Sequence, residues 1–112
     1  MPREPAKYLF DIQQAADRIE RFCAGKGFDD YSRDELLRSA VERQLEIIGE
    51  ALSQLGKHAP EVLQKIPSSG RIIGFRNILI HGYAMVDDKI VWGVVETHLP
   101  PLRAVVSRLL SQ

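Results

Sequence analysis

Arg33-Asp34-Glu35-Leu36-Leu37-Arg38-Ser39-Ala40-Val41-Glu42-Arg43-Gln44-Leu45-Glu46-Ile47-Ile48-Gly49-Glu50-Ala51-Leu52-Ser53-Gln54-Leu55-Gly56 is the longest uninterrupted helical pattern in the chain. Leu37, Val41, Leu45, Ile48, Leu52 and Leu55 recur three or four residues apart, so one face of a helix is apolar throughout. Leu36, Ala40, Ile47 and Ala51 form a second apolar stripe. A helix apolar on two sides lies in the middle of a bundle or is shared with a second chain. Ser32 and Glu35 have the spacing of a capping box for its start. Arg43 interrupts the second stripe and stands at helical distance from Glu46 and Glu50, either of which it can pair with.

The pattern continues on both sides. Tyr8, Ile12, Ala15, Ile19 and Phe22 predict a first helix over residues 5–24, ended by Gly25 and Gly27. Residues 28–31 read as a connection. Pro60 opens a short helix over residues 60–66, and Pro67, Ser68, Ser69 and Gly70 break it. Residues 72–81 form a fourth helix with Gly82 as its stop. A loop over residues 83–86 leads to Asp87 and Asp88, which can cap a fifth helix carrying Val91, Val94, Val95, Leu99, Leu102, Val106 and Leu109. Pro100 and Pro101 lie inside that helix and should kink or split it. The sequence has no strand pattern, repeat or low-complexity tract. The expectation is an all-α, antiparallel bundle of four to five helices in a single domain, 1–112.

The 112 residues carry 15 basic and 15 acidic side chains, a formal net charge of zero, so the chain lacks the basic excess of a general nucleic-acid binder. Any contact with RNA should be local, with a modest salt dependence. A chain this short buries only part of its surface, so pairing with a second copy would help. Cys23 stands alone in an apolar stripe and reads as a small buried hydrophobe in a reducing compartment. No apolar run has the length of a membrane span and no signal-peptide core is present, which predicts a cytoplasmic protein. His58 reads as a helix C-terminal contact, His98 as a surface or interface residue, and Trp92 as core. The three histidines lack metal-ligand spacing, so neither a metal nor a cofactor is expected.

Arg76-Asn77-Ile78-Leu79-Ile80-His81-Gly82-Tyr83 concentrates the chemistry. A guanidinium holds a phosphate through a planar fork, and an imidazole moves protons near neutral pH. Asn77 and His81 are four positions apart and share a face. Arg76 and His81 are five apart, which on a straight helix points them about 140° from each other. Ile73 and Ile80 occupy the arc between. Two arrangements bring the pair to one phosphate: the helix unwinds near Gly82, or a second copy contributes across a two-fold axis. The second also covers Ile73 and Ile80, and predicts a symmetric homodimer with two Arg76 and two His81 around one cleft.

The pattern Arg-(four residues)-His-X-Tyr, with Asn77 directly after the arginine, resembles the signature of the HEPN superfamily. The wider match is to HepT, the toxin of HepT–MNT toxin–antitoxin systems. The block from Ala40 to Ala51 is similar to that family's second helix. Ile66-Pro67, Gly74-Phe75-Arg76-Asn77, and the segment from Val86-Asp87 to Leu99-Pro100 follow its pattern, so the resemblance covers residues 5–110. Many relatives have a tryptophan just after the Ile-Pro pair, where Ser68 and Ser69 stand here. The resemblance implies a ribonuclease active without metal, with tRNA as target, in a type VII-like toxin–antitoxin pair. It also implies that an MNT-type nucleotidyltransferase silences the toxin by adenylylating (AMPylating) the motif tyrosine, Tyr83. That modification would add charge and bulk beside Arg76 and His81.

In a shared cleft, one His81 would take the proton of the ribose 2′-hydroxyl and the other, protonated, would donate to the departing 5′-oxygen. Arg76 would stabilise the charge on the pentacoordinate phosphate. Asn77 would orient the imidazole or the phosphate, and Arg43, Glu46 and Glu50 are candidates to support the motif from behind. The alternative is a non-catalytic helical binding or dimerisation module that serves a partner nucleotidyltransferase. The neutral net charge fits the alternative, and the intact Arg76, Asn77, His81 and Tyr83 favour the nuclease.

Overall fold

The computed structural model describes residues 3–112 of the chain. Its centre is α3 (Glu35–His58). All six members of the first apolar stripe, from Leu37 to Leu55, are buried. α3 packs against α1 (Arg3–Cys23) on one side and α5 (Ser69–His81) on another, and α1 also packs against α7 (Leu99–Leu110). Side-chain contacts give the directions. Tyr8 near the start of α1 stacks on His58, the last residue of α3, while Arg18 further along α1 reaches back to Gln44. Gln13 bonds Ser107 and Asp17 pairs with Arg103, so α1 and α7 are antiparallel as well. Ile12, Ile19, Leu45, Ile48, Leu52, Leu102 and Val106 meet in one core. Among the described residues there is no strand, and no helix is long and apolar enough to cross a membrane.

The second stripe of α3 divides. Ala51 is buried and Ile47 half-buried, but Leu36 is 80% exposed. Ser32 does not cap this helix. Asp34 does, its carboxylate accepting from the backbone N–H of Leu37 at 3.0 Å. The Ser32 hydroxyl donates instead to the carbonyl of Asp29, because residues 28–31 are not a plain connection. They open a short helix, α2 (Phe28–Arg33), whose first turn is closed by Asp30 accepting from the N–H of Gly27 at 2.8 Å. The helix lays Tyr31 into the core, tilted on Trp92 with ring centroids 5.2 Å apart. Propensity alone would not hold six residues helical; the burial of Tyr31 does.

α4 (Pro60–Leu63) begins at Pro60 as expected but ends three residues short of Ile66. α5 starts earlier than expected, at Ser69. Ser68 precedes it in a left-handed conformation (φ 62°), an arrangement that costs a non-glycine residue about 1–3 kcal/mol. Its hydroxyl and Nδ1 of His98 share a hydrogen bond at 3.0 Å, so His98 anchors the start of α5 rather than serving a surface. Residues 83–86 hold a 3-10 turn, Tyr83–Met85, and Asp87 caps α6 (Asp88–Gly93) by accepting from the N–H of Lys89 at 2.9 Å. The expected kink at Pro100 and Pro101 takes the form of a π-turn over Val94–His98, which leads without interruption into α7. Two prolines leave the carbonyls of Glu96 and Thr97 without their usual donors, and a wider turn just ahead of them accommodates the loss.

Candidate functional site

The candidate site grows from α5. Ile72, Phe75 and Leu79 are buried against α3, which turns Asn77, Ile78, Ile80 and His81 outward. Arg76 lies at the edge of the α3–α5 contact. Its stem runs over the helix and its terminal nitrogens find two acceptors of this chain: Nη2 pairs with Glu50 Oε2 at 2.8 Å, and Nη1 donates to Asn77 Oδ1 at 3.2 Å. Nε is buried with no hydrogen-bond partner. Glu50 is held in turn by Gln54, whose amide donates to Oε1 at 3.1 Å. Arg43 pairs with Glu46 at 3.4 Å and does not reach Glu50. Arg43, Glu46, Glu50, Gln54, Arg76 and Ile80 all line one cleft of ≈ 310 Å³, together with Tyr8 and Asp11 of α1.

α5 stays helical through His81, and Gly82 ends it with its N–H bonded to the carbonyl of Ile78. The first arrangement, unwinding near Gly82, is therefore not the one observed. Within the chain Arg76 and His81 leave the helix about 140° apart, His81 is exposed, and the cleft lining includes Arg76 but not His81. Asn77 stands between them and touches Arg76. Of the two isoleucines expected to need cover, Ile80 remains 38% exposed, but Ile73 is half-buried against the core; Ile78, on the other side of the helix, is 45% exposed. Tyr83, 76% exposed, sits on the 3-10 turn just past the helix stop.

Of the residues expected from the sequence, Arg76, Arg43, Glu46 and Glu50 line the cleft and Asn77 touches Arg76, whereas His81 and Tyr83 lie outside the lining; Gln54, which also lines it, was assigned no role. Its signal was available: Gln54 is one helical turn beyond Glu50 on the same face. Tyr8 and Asp11 were missed because they reach the cleft from another helix. His58 stacks on Tyr8 with ring centroids 5.6 Å apart, beyond the C-terminal role expected of it. Trp92 is core, as expected. Cys23 is only half-buried, and burial raises its thiol pKa. It lines a larger cavity of ≈ 500 Å³ with Ile19, Trp92, Leu99 and Arg103, and the motif residues are not part of that lining. Among the described residues, no group of three or more His, Cys, Asp or Glu side chains is placed to hold a metal ion.

Outside the cleft lining, Glu42 of α3 has its carboxyl pKa raised above the usual value. Burial is the main cause; Asp88 and Glu46 add to it and Arg38 opposes it. Tyr31 has its phenol raised too, again by burial first and by the charges of Glu42 and Asp88 next. Its hydroxyl is buried without a hydrogen-bond partner.

The bundle thus presents an arginine, an amide and a histidine on one helix, with Glu50 paired to the arginine. The chain belongs to the HepT-like family: residues 12–109 match the family described as "Ribonuclease HepT-like". It is 34% identical over 109 residues to "Probable ribonuclease HepT" of Thermococcus cleftensis, covering 97% of this chain and 98% of that one. It is also 34% identical over 110 residues to a Caldanaerobacter subterraneus subsp. tengcongensis protein provisionally named an RNase, covering 98% of this chain and 97% of the relative. A Methanocaldococcus jannaschii protein of similarly provisional name is 31% identical over 101 residues, with 90% and 92% covered. No solved structure matches the chain.

Proposed function

We propose that this protein is a metal-independent endoribonuclease acting as a symmetric homodimer, with Arg76 and His81 of two protomers converging on one scissile phosphate. The observation that carries the reading is the unbroken course of α5. It separates the two side chains within a protomer, with Ile80 exposed in the arc between them and His81 exposed beyond it. Two such surfaces meeting across a two-fold axis would bury Ile80 and bring each Arg76 toward the partner's histidine. The ribonuclease names carried by close relatives support the chemistry.

In the cleft, one His81 removes the 2′-hydroxyl proton as the 2′-oxygen attacks phosphorus, and the 5′-oxygen leaves with a proton from the other His81. Arg76, oriented by Glu50 and Asn77, stabilises the phosphorane dianion. The products are a 2′,3′-cyclic phosphate and a 5′-hydroxyl. The substrate is RNA, with tRNA the best candidate. The protein is the toxin of a toxin–antitoxin pair whose MNT-type nucleotidyltransferase adenylylates Tyr83. The exposed hydroxyl on a turn beside the motif suits that modification, which would place a nucleotide where RNA must enter.

The test is incubation of purified protein, shown by mass spectrometry to carry no AMP, with total tRNA in excess EDTA. Cleavage that leaves cyclic-phosphate ends and vanishes in Arg76→Ala and His81→Ala is expected. Intact tRNA would sink the nuclease reading in favour of a non-catalytic module serving the nucleotidyltransferase.

A further inference from the structure

We infer that Gly49 is a positioning residue for Arg76, setting the α3–α5 distance that brings the guanidinium to Glu50 and the cleft. Gly49 is buried on the face of α3 that meets α5. A Cβ built there would lie 2.5 Å from Cβ of Arg76, 3.1 Å from its Cγ and 3.2 Å from its Cδ. Ordinary carbon–carbon contact is about 3.5–4.0 Å, so even a methyl group forces a retreat. The atom it meets first is the one that cannot retreat alone. A Cβ is fixed to its helix backbone, so α5 itself must move by roughly an ångström, or turn, to make room. The missing side chain is thus a groove in which the stem of Arg76 lies.

That groove explains two other features of the arginine. With the stem pressed on α3, Nη2 reaches Glu50, the residue after Gly49, at 2.8 Å. Nε is sealed from solvent without an acceptor, an arrangement that persists only where packing forces it. Gly49, Glu50 and Gln54 therefore form one device on one helix: the first admits the arginine, the second grips it, the third holds the grip.

Gly56 supplies an internal control. A Cβ there would meet Cδ2 of Leu63 at 2.8 Å, with Cγ at 3.9 Å. The obstacle is the tip of a rotatable side chain, which can swing away. The same substitution on the same helix should therefore be absorbed at Gly56 and transmitted at Gly49.

The inference rests on the nuclease reading for one of its two readouts. In RNA cleavage, Gly49→Ala should lower kcat about a hundredfold, the scale expected of an ångström's displacement at a reacting centre, with KM little changed. Gly56→Ala should leave both near wild type. The second readout needs no activity. The Arg76 Nε–H, followed by NMR with arginine-labelled protein, should exchange slowly in wild type and Gly56→Ala and rapidly in Gly49→Ala. If wild type cleaves no RNA but its Nε–H shows this pattern, the nuclease reading fails and the positioning role stands. A folded Gly49→Ala protein with wild-type kcat or a still-protected Nε–H overturns the positioning role. Should Gly49→Ala not fold, Gly49→Ala/Arg76→Gly decides. Recovery of its melting temperature supports the close approach, because the opposing Cβ is gone, and continued instability overturns it.

Discussion

Arg76 commits both terminal nitrogens to acceptors of its own chain, Glu50 and Asn77. A lysine carries one ammonium on a flexible stem and cannot keep both contacts while also meeting a phosphate. Arg76→Lys should therefore fold normally, since the pair with Glu50 is partly solvated and such pairs contribute about 0–1 kcal/mol. Its RNA cleavage rate should fall by about 10²–10³, and a rate within a few-fold of wild type would remove Arg76 from the chemistry. Tyr83→Phe separates two roles of one residue. The hydroxyl is exposed on its turn, so deleting it should leave the melting temperature unchanged while abolishing acceptance of AMP from the nucleotidyltransferase, read by intact mass. AMP addition to Tyr83→Phe would place the modification elsewhere. The chemically distinctive residues of this site were legible in the sequence because they crowd into eight positions. Gly49 was not. A glycine inside a helix says only that something comes close, and what comes close here is 27 residues further along the chain, the difference between 49 and 76.

Among elements, α1, α3, α5 and the stretch from α6 through α7 were readable from apolar spacing, because burial and periodicity are the same fact seen twice. Boundaries were harder. Ser32-Arg33-Asp34-Glu35 holds two possible caps, and Asp34 takes the role because Ser32 is already inside α2. That short helix exists for the sake of Tyr31 and Trp92, a long-range contact that no local pattern announces. The helix ahead of Pro100 accommodates its missing donors with a π-turn, where the sequence predicted a kink or a split without saying which. α3 and α6 also share a charge problem. Glu42 faces Asp88 and Glu46, with Arg38 as the opposing cation, and its folded-state pKa lies above the ordinary 4.5. A raised acid pKa means the folded state favours the proton. The corresponding stability is present below about pH 4.5 and is lost as pH rises through the higher folded value. Glu42→Gln should therefore be more stable than wild type in urea at neutral pH and lose that advantage in acid. An advantage equal at both pH values would show that charge is not its origin.

For the molecule as a whole, the bundle class was legible. α5 stays helical to its last residue, holds Arg76 and His81 about 140° apart and leaves its outer face open. A Cβ at Gly74, on that face, would meet nothing within 4 Å in the protomer. Gly74→Trp should thus leave the protomer folded, the helix gaining from the loss of glycine, while blocking the proposed dimer. Sedimentation should show a single copy, and RNA cleavage should be lost. A Gly74→Trp dimer with full activity would put the interface somewhere else.

The proposed shared cleft is most directly tested with mixed dimers in which one protomer carries His81→Ala and the other is wild type, purified by two different tags. If both histidines serve one phosphate, as base and as acid, the mixed dimer should fall by about 10²–10⁴ below wild type, the contribution of one proton-transfer group. Cleavage at half the wild-type rate would mean that each protomer works alone, and would contradict the account.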